Sequence, residues 1–210
     1  MKKQLILLLL LTVPVFAQWE LRGSMGLNMV NMPDLRDYLN GNFSAGGSLQ
    51  NDFNSKIEFG IEAGNMVSAT YQTGAEATVQ ISSYTSSLGG SQYEFNYQSY
   101  SLSSMHYYVI QGKGYRFKFG GGAGPRFFTS SEKIYTNQPV NRTSFGAGVV
   151  AKLDASTAIS NDVYAYIAFD LRYDYNGEPE GDGKKIMYSG SPVAVNALSA
   201  GIKLGVSFLL

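Results

Sequence analysis

Apolar and polar residues alternate along most of the chain and divide it into eight segments. Within residues 115–128, for example, Tyr115, Phe117 and Phe119 fall on one face, whereas Arg116 and Lys118 fall on the other. A period of two residues indicates a β-strand with an apolar and a polar side. Comparable segments cover residues 19–30, 55–71, 75–86, 92–110, 115–128, 142–153, 162–175 and 195–208. The pattern therefore predicts an all-β chain of eight strands.

Two of the predicted strands are irregular. In residues 92–110, Ser99, Ser101 and Ser103 share a face with aromatic residues, so the pattern leaves the register of this strand open. In residues 55–71, Asn65 interrupts the apolar face, and we expect a β-bulge there.

The connections between the segments alternate in length. The first, third, fifth and seventh are mostly long, at residues 31–54, 87–91, 129–141 and 176–194. The second, fourth and sixth are shorter, at residues 72–74, 111–114 and 154–161. Strands of about ten residues in even number, with long loops at one end and short turns at the other, are typical of outer-membrane β-barrels.

The glycine-rich stretch 120–124 raises the alternative of a phosphate-binding loop. Such a loop ends in Gly-Lys-Ser/Thr or opens a helix, whereas Gly124 is followed by Pro125 and Arg126 and then by no helical pattern. A small barrel has an interior that side chains fill. We therefore expect inward glycines to make room for Arg126, Tyr164 and Tyr166; these glycines are Gly120, Gly122, Gly124, Gly146 and Gly148.

The first 17 residues have the features of a secretory signal peptide. Lys2 and Lys3 precede a short apolar run, and Ala17 is a small residue before polar Gln18. The run is too short for a membrane-spanning helix of about 20 residues. We predict cleavage after Ala17 and a single domain at residues 18–210.

Composition narrows the function further. Without Lys2 and Lys3 the chain has 14 basic and 16 acidic residues, a net charge of −2. A nucleic-acid partner would require a basic excess, so none is expected. The chain contains no cysteine, which excludes disulfides, cysteine metal sites and a cysteine nucleophile.

At this point the chain resembles the small outer-membrane β-barrels of the OmpA, OmpX and OmpW type. The resemblance lies in the alternating stretch 115–124 after the turn at 112–114, and in the alternating final strand. It implies an eight-stranded antiparallel up-and-down transmembrane β-barrel over residues 18–210, in the outer membrane of a Gram-negative-type bacterium. It further implies a monomer without cofactors, inserted by the barrel-assembly machinery and in contact with outer-membrane lipid and lipopolysaccharide.

In such a barrel the polar faces of the strands line the lumen. The charged residues expected inside are Glu58, Glu62, Glu76, Arg116, Lys118, Lys152, Asp170, Arg172 and Lys203. Acids and bases in comparable number favour ion pairs that plug the lumen, and so a structural or surface-interaction role without enzymatic activity. A narrow channel for small or hydrophobic solutes is the alternative. In a soluble β-sandwich, the structural alternative, the same charges would face water and the apolar faces would form the core.

The sequence offers two weak candidates for chemistry. His106 is the single histidine and shares a strand face with Ser104. An outer-membrane lipid hydrolase would use such a pair with an acid to orient the histidine, and Glu76 is the nearest acid by depth. The second candidate is the stretch 178–183, which mimics half of a calcium loop, but Ser189 stands where the bidentate glutamate belongs. We therefore predict no catalytic, cofactor or metal residues.

Two long connections are candidates for an extracellular partner, residues 31–54 and 176–194. The first contains a predicted short helix that begins at Pro33 and ends at Gly41. Because Leu35, Tyr38 and Leu39 share one face of this helix, we expect it to pack over the mouth of the barrel.

Overall fold

The computed structural model describes residues 18–43, 55–88, 91–135 and 137–210. The predicted signal peptide and residues 44–54 of the first long connection lie outside these ranges. Eight long strands form the wall: β1 (Trp19–Asn31), β2 (Ser55–Ser68), β3 (Tyr71–Leu88), β4 (Ser91–Gly112), β5 (Tyr115–Ile134), β6 (Val140–Ala158), β7 (Val163–Tyr175) and β12 (Ala197–Leu209). Helix α1 spans Pro33–Phe43, and four two-residue strands lie between β7 and β12: β8 (Glu180–Gly181), β9 (Lys184–Lys185), β10 (Met187–Tyr188) and β11 (Ser191–Pro192).

The wall strands form one closed antiparallel barrel, as predicted. Each pairs with its neighbour in the chain, and β1 pairs with β12 to close the sheet. Following the registered pairs once around the barrel leads from Phe117 of β5 to Phe127 of the same strand, ten residues further on. A stagger of this kind means that the strands tilt relative to the barrel axis.

Apolar side chains cover the outside of the wall. Met29 and Phe145 are 75% and 74% exposed, and the outward residues of every wall strand include exposed large apolar side chains. All nine charged residues that were expected inside are buried. The apolar faces therefore do not form a core, and the β-sandwich alternative is wrong. A continuous apolar outer surface of this extent is what a barrel presents to lipid.

The wall is taller on one side than on the other. Strands β3, β4, β5 and β6 contain 18, 22, 20 and 19 residues, whereas β1, β2, β7 and β12 contain 13 or 14. The predicted loop 129–141 was wrong in extent, because β5 continues to Ile134 and β6 begins at Val140. Most of the predicted connection 154–161 likewise belongs to β6, which ends at Ala158.

The inward and outward characters exchange along β4, the longest of the tall strands. In β4 the odd-numbered residues point inward throughout, from Tyr93 to Val109. Within the apolar band the outward residues include apolar side chains such as Leu102. Towards the long loops the outward residues are polar, such as Asn96, while the neighbouring residues Phe95 and Tyr97 point inward. This inversion explains why the sequence left the register of 92–110 open: a single rule of apolar outside and polar inside does not hold over the whole strand.

The second connection differs from its prediction. The turn lies at residues 69–70, and residues 72–74, predicted as the turn, belong to β3 and pair with β2. The register shifts between Met66 and Ser68, so the irregularity expected at Asn65 occurs slightly later in the strand.

Helix α1 is longer than predicted, since it continues past Gly41 to Phe43. Its buried side chains are Leu35, Tyr38, Leu39 and Phe43, and they pack with inward residues of the wall. The expected position over the barrel mouth is thus confirmed. Within the described ranges, no helix is long and apolar enough to cross a membrane.

Candidate functional site in the plugged lumen

Charged side chains from the wall strands meet in the part of the lumen that the apolar outer band surrounds. Arg172 of β7 occupies the centre, with its Nη2 atom 3.5 Å from Glu58, 3.4 Å from Glu76 and 3.1 Å from Asp170. Its Nη1 atom donates to the hydroxyls of Thr78 and Ser101 at 2.9 and 3.0 Å. One guanidinium therefore links β2, β3, β4 and β7 across the lumen.

A second set of ion pairs lies closer to the short turns. Lys152 contacts Glu62 at 2.7 Å and also pairs with Glu76, which connects this set to the Arg172 cluster. Arg22 pairs with Asp154, lies 3.4 Å from Glu62 and places its guanidinium carbon 3.8 Å from the centre of the Tyr166 ring. The arrangement leaves each of these cations with more than one acidic or aromatic neighbour.

Further ion pairs join these two sets, and we call the connected charges across the lumen the ionic layer. Lys203 of β12 bridges Glu58 and Asp170, and Lys118 of β5 pairs with Glu20 of β1. The buried charged residues of the described chain are eight bases and eight acids: Arg22, Lys56, Arg116, Lys118, Arg126, Lys152, Arg172 and Lys203, with Glu20, Glu58, Glu62, Glu76, Glu132, Asp154, Asp170 and Asp174. Sequence reasoning missed Glu132 and Asp154 because it placed both residues in loops.

The expectation that the inward glycines make room for large inward side chains is confirmed at Gly148. A Cβ atom on Gly148 would lie 2.5 Å from Nε of Arg126, so this glycine makes room for an inward arginine. Tyr166 instead uses Gly205, where a Cβ atom would come within 2.5 Å of its ring. At Gly120, Gly122 and Gly124 a Cβ atom would meet backbone carbonyl oxygens of β4, so these glycines allow β4 and β5 to approach closely.

The mouth of the lumen is filled differently, by an apolar plug. Here inward aromatic residues of the tall strands pack against α1 and against residues of the last connection. The buried members are Val30, Met32, Leu35, Tyr38, Leu39, Phe43, Tyr84, Tyr93, Phe95, Tyr97, Phe128, Ile186, Val193, Val195 and Ala197. The ring of Phe43 stacks on Tyr93 with 3.6 Å between centroids, so the end of α1 is fixed against β4.

A buried carboxylate joins the plug to the wall. Glu132 of β5 accepts hydrogen bonds from Tyr38 of α1 at 2.5 Å and from Tyr93 at 2.8 Å, and Arg142 donates to its other oxygen at 2.6 Å. Burial, and then the hydrogen bond to Glu132 and its charge, raise the pKa of Tyr38 well above the usual value. The phenol consequently remains a donor over the ordinary pH range.

The two candidates for chemistry lie elsewhere. His106 faces outward, where Nδ1 lies 2.7 Å from the hydroxyl of Tyr71 and Nε2 lies 3.4 Å from the hydroxyl of Ser104. Glu76 lies buried inside the lumen, on the other face of the wall, so it does not orient His106. The expected acidic partner was wrong, and Tyr71 occupies its position.

The stretch that mimics a calcium loop forms the small hairpin of β8 and β9. Glu180 is the registered partner of Lys185, and Glu178 makes an ion pair of 2.6 Å with the same lysine. This hydrogen bond and charge raise the pKa of Lys185. Among the described residues, no group of three histidine, cysteine or acidic side chains is placed to hold a metal ion.

Comparison with known proteins supports the fold and not a particular activity. No family model matches the chain, and no curated protein matches its sequence. A major outer membrane protein from Thermus thermophilus matches with a TM-score of 0.56 and 12% identity, over 92% of this chain and 99% of the other. Ail, the attachment invasion locus protein of Yersinia pestis, matches with a TM-score of 0.53 and 9% identity over the same shares.

Neisserial surface protein A matches with a TM-score of 0.50 and 13% identity, over 90% of this chain and 96% of the other. All three likenesses extend over nearly the whole of both chains. The described chain thus has the fold of the small outer-membrane β-barrels.

Proposed function

We propose that this chain is an integral outer-membrane protein with a structural or surface-interaction role, whose lumen does not conduct solutes. The observation that carries the proposal is the double closure of the lumen. An ionic layer crosses the barrel within the apolar band, and an apolar plug fills the mouth beyond it. A solute on its way through would have to disrupt both.

The membrane location rests on the outer surface of the barrel. Exposed apolar side chains on every wall strand would be costly in water and are favourable against lipid. Export through a signal peptide cleaved after Ala17 belongs to the same proposal. The connection at 176–194 and the part of 31–54 that forms α1 are the surfaces we assign to extracellular contact, and their packed cores keep them in one arrangement.

A narrow channel is less consistent with the lumen. Opening a path through the ionic layer would separate buried charges, and the loss of one partner of a buried pair costs about 3–5 kcal/mol. Arg172 alone would have to leave three carboxylates. Single-channel recording in planar bilayers tests this directly. A general porin, recorded in a separate bilayer of the same composition, is the positive control. We expect no stable conductance from the refolded protein; long-lived, uniform current steps would refute the plugged lumen.

Lipid hydrolysis at His106 is the other alternative. The Ser104 hydroxyl is 3.4 Å from Nε2, which is long for the bond that would activate a nucleophile. The partner on Nδ1 is the neutral hydroxyl of Tyr71. We propose that these residues are not catalytic. Mass spectra of membrane lipids from cells that make the wild type or His106→Gln should show the same acylation; a difference that depends on His106 would restore the enzymatic alternative.

A further inference from the structure

The outer face of the tall strands β3 to β6 changes character where the apolar band ends. Tyr100 of β4 and Phe127 of β5 are registered partners, and their rings are 6.3 Å apart. Aromatic residues commonly mark the edge of the membrane in outer-membrane barrels. The next outward pair along these strands is Gln98 and Thr129, followed by Asn96 and Ser131. A polar sheet face thus begins directly above the aromatic edge.

This polar face contains a shallow groove of about 580 Å³. Its outward lining consists mainly of hydroxyl and carboxamide side chains: Ser83, Asn96, Gln98, Thr129, Ser131 and Thr143. The Asn96 carboxamide oxygen accepts from Ser83 at 2.5 Å, and that of Gln98 accepts from the Tyr100 hydroxyl at 2.5 Å. Each of these bonds orients a carboxamide, and the NH2 groups are among the donors that the exposed face presents.

The groove has little charge to offer a ligand. Beyond the aromatic edge, the charged outward residues on the described parts of β3 to β6 are Glu94 and Lys133, which are registered partners above the groove. Arg142 also borders the groove, but its guanidinium donates to Glu132. Phosphate recognition relies on arginine or lysine at the contact. Amides and hydroxyls beside an aromatic ring suit the hydroxyl groups and the C–H face of a neutral sugar instead.

We propose that this groove binds the sugar headgroup of an uncharged glycolipid of the surrounding membrane. The inference rests on the surface-interaction role proposed above and names the chemistry of one partner. The membrane is the expected source because the groove borders the lipid-facing band. Ile81 lines the groove, and the exposed side chains of Tyr100, Phe127 and Phe145 lie beside or below it. A headgroup in the groove would therefore leave its acyl chains against apolar wall.

Lipid retention by the refolded protein tests this assignment. The protein is exchanged from detergent into nanodiscs that contain glucosyl diacylglycerol and phosphatidylglycerol in equal amounts, and bound lipids are identified by native mass spectrometry. We expect the glucosyl lipid to be retained preferentially. In the double variant Asn96→Ala/Gln98→Ala, the ratio of retained glucosyl lipid to retained phosphatidylglycerol should fall about tenfold, which corresponds to about 1.4 kcal/mol.

Gln111→Ala is the matched control, because it removes an exposed carboxamide at the opposite end of the same strand. All variants are first shown to fold by the change in gel mobility on boiling. Equal retention of both lipids by the wild type, or an unchanged preference in the double variant, would overturn the proposal. If soluble maltose bound as tightly as the glucosyl lipid, the groove would bind free sugars, and the assignment of the ligand to the membrane would be wrong. A conducting channel in the bilayer recordings would refute the plugged lumen and leave the retention result intact, so the two failures can be told apart.

Discussion

The ionic layer and the apolar plug are built from different parts of the chain. The ionic layer consists of side chains on the wall strands, so each charge is held by a strand that is itself paired on both sides. The apolar plug combines wall residues with α1 and the last connection. One layer is thus part of the barrel, whereas the other includes segments that lie outside the paired wall strands. We expect the first to determine global stability and the second to determine local opening of the mouth.

The largest effect should follow from breaking the ionic layer at its centre. Arg172→Met removes the guanidinium that contacts three carboxylates and leaves their charges less compensated. The free energy of unfolding should fall by about 3–5 kcal/mol. Urea titration in lipid vesicles, followed by the change in gel mobility of the folded barrel, measures it.

The control for this variant is Arg36→Met on helix α1. The side chain of Arg36 is 43% exposed and contacts Asp37 at 3.5 Å, so its replacement should change the free energy of unfolding by less than about 0.5 kcal/mol. Similar losses for both arginines would contradict the assignment of stability to the ionic layer.

A smaller and more local effect should follow from the plug. Leu35 is fully buried in the mouth, and Leu35→Ala should cost about 2–3 kcal/mol, at the lower end for core leucines because the helix can adjust. Hydrogen exchange of the amides in 34–43 should accelerate, while that of the wall strands stays unchanged. Leu27→Ala, on the lipid-facing side of β1, is the matched control and should leave exchange in α1 as it is. If exchange accelerated in the wall as well, plug and barrel would be one cooperative unit.

The smallest effect concerns the link between the two layers. Tyr38→Phe removes one of three hydrogen bonds to Glu132 and should destabilise α1 by about 1–2 kcal/mol. Because the pKa of Tyr38 is raised in the folded protein, the link contributes fully below the ordinary tyrosine pKa of about 10 and is lost as the pH rises further above it.

Hydrogen exchange of α1, corrected for the intrinsic rate at each pH, should therefore increase at alkaline pH in the wild type and less so in Tyr38→Phe. Tyr175→Phe removes an exposed hydroxyl on the outside of β7 and serves as the control. An equal alkaline response in all three proteins would show that Tyr38 does not hold the plug.

Much of the barrel could be predicted because alternation reports directly which face of a strand meets lipid. The nine inward charges and the apolar face of α1 were identified in this way and are buried as expected. The prediction was weaker where the environment of a strand changes along its length. Tyr93, Phe95 and Tyr97 point inward because the plug surrounds them there. A rule that places apolar residues outside along the whole strand cannot identify such residues.

By itself, the sequence determined the number of wall strands, their inward and outward faces within the apolar band and the presence of opposite charges inside, because these depend on a local period of two residues. Only the tertiary structure decided which charge meets which. Arg172 contacts Glu58 and Glu76 although 114 and 96 residues separate them in the chain, and Tyr71 rather than Glu76 lies beside His106. Such contacts depend on the stagger and closure of the sheet, which place distant residues at the same depth.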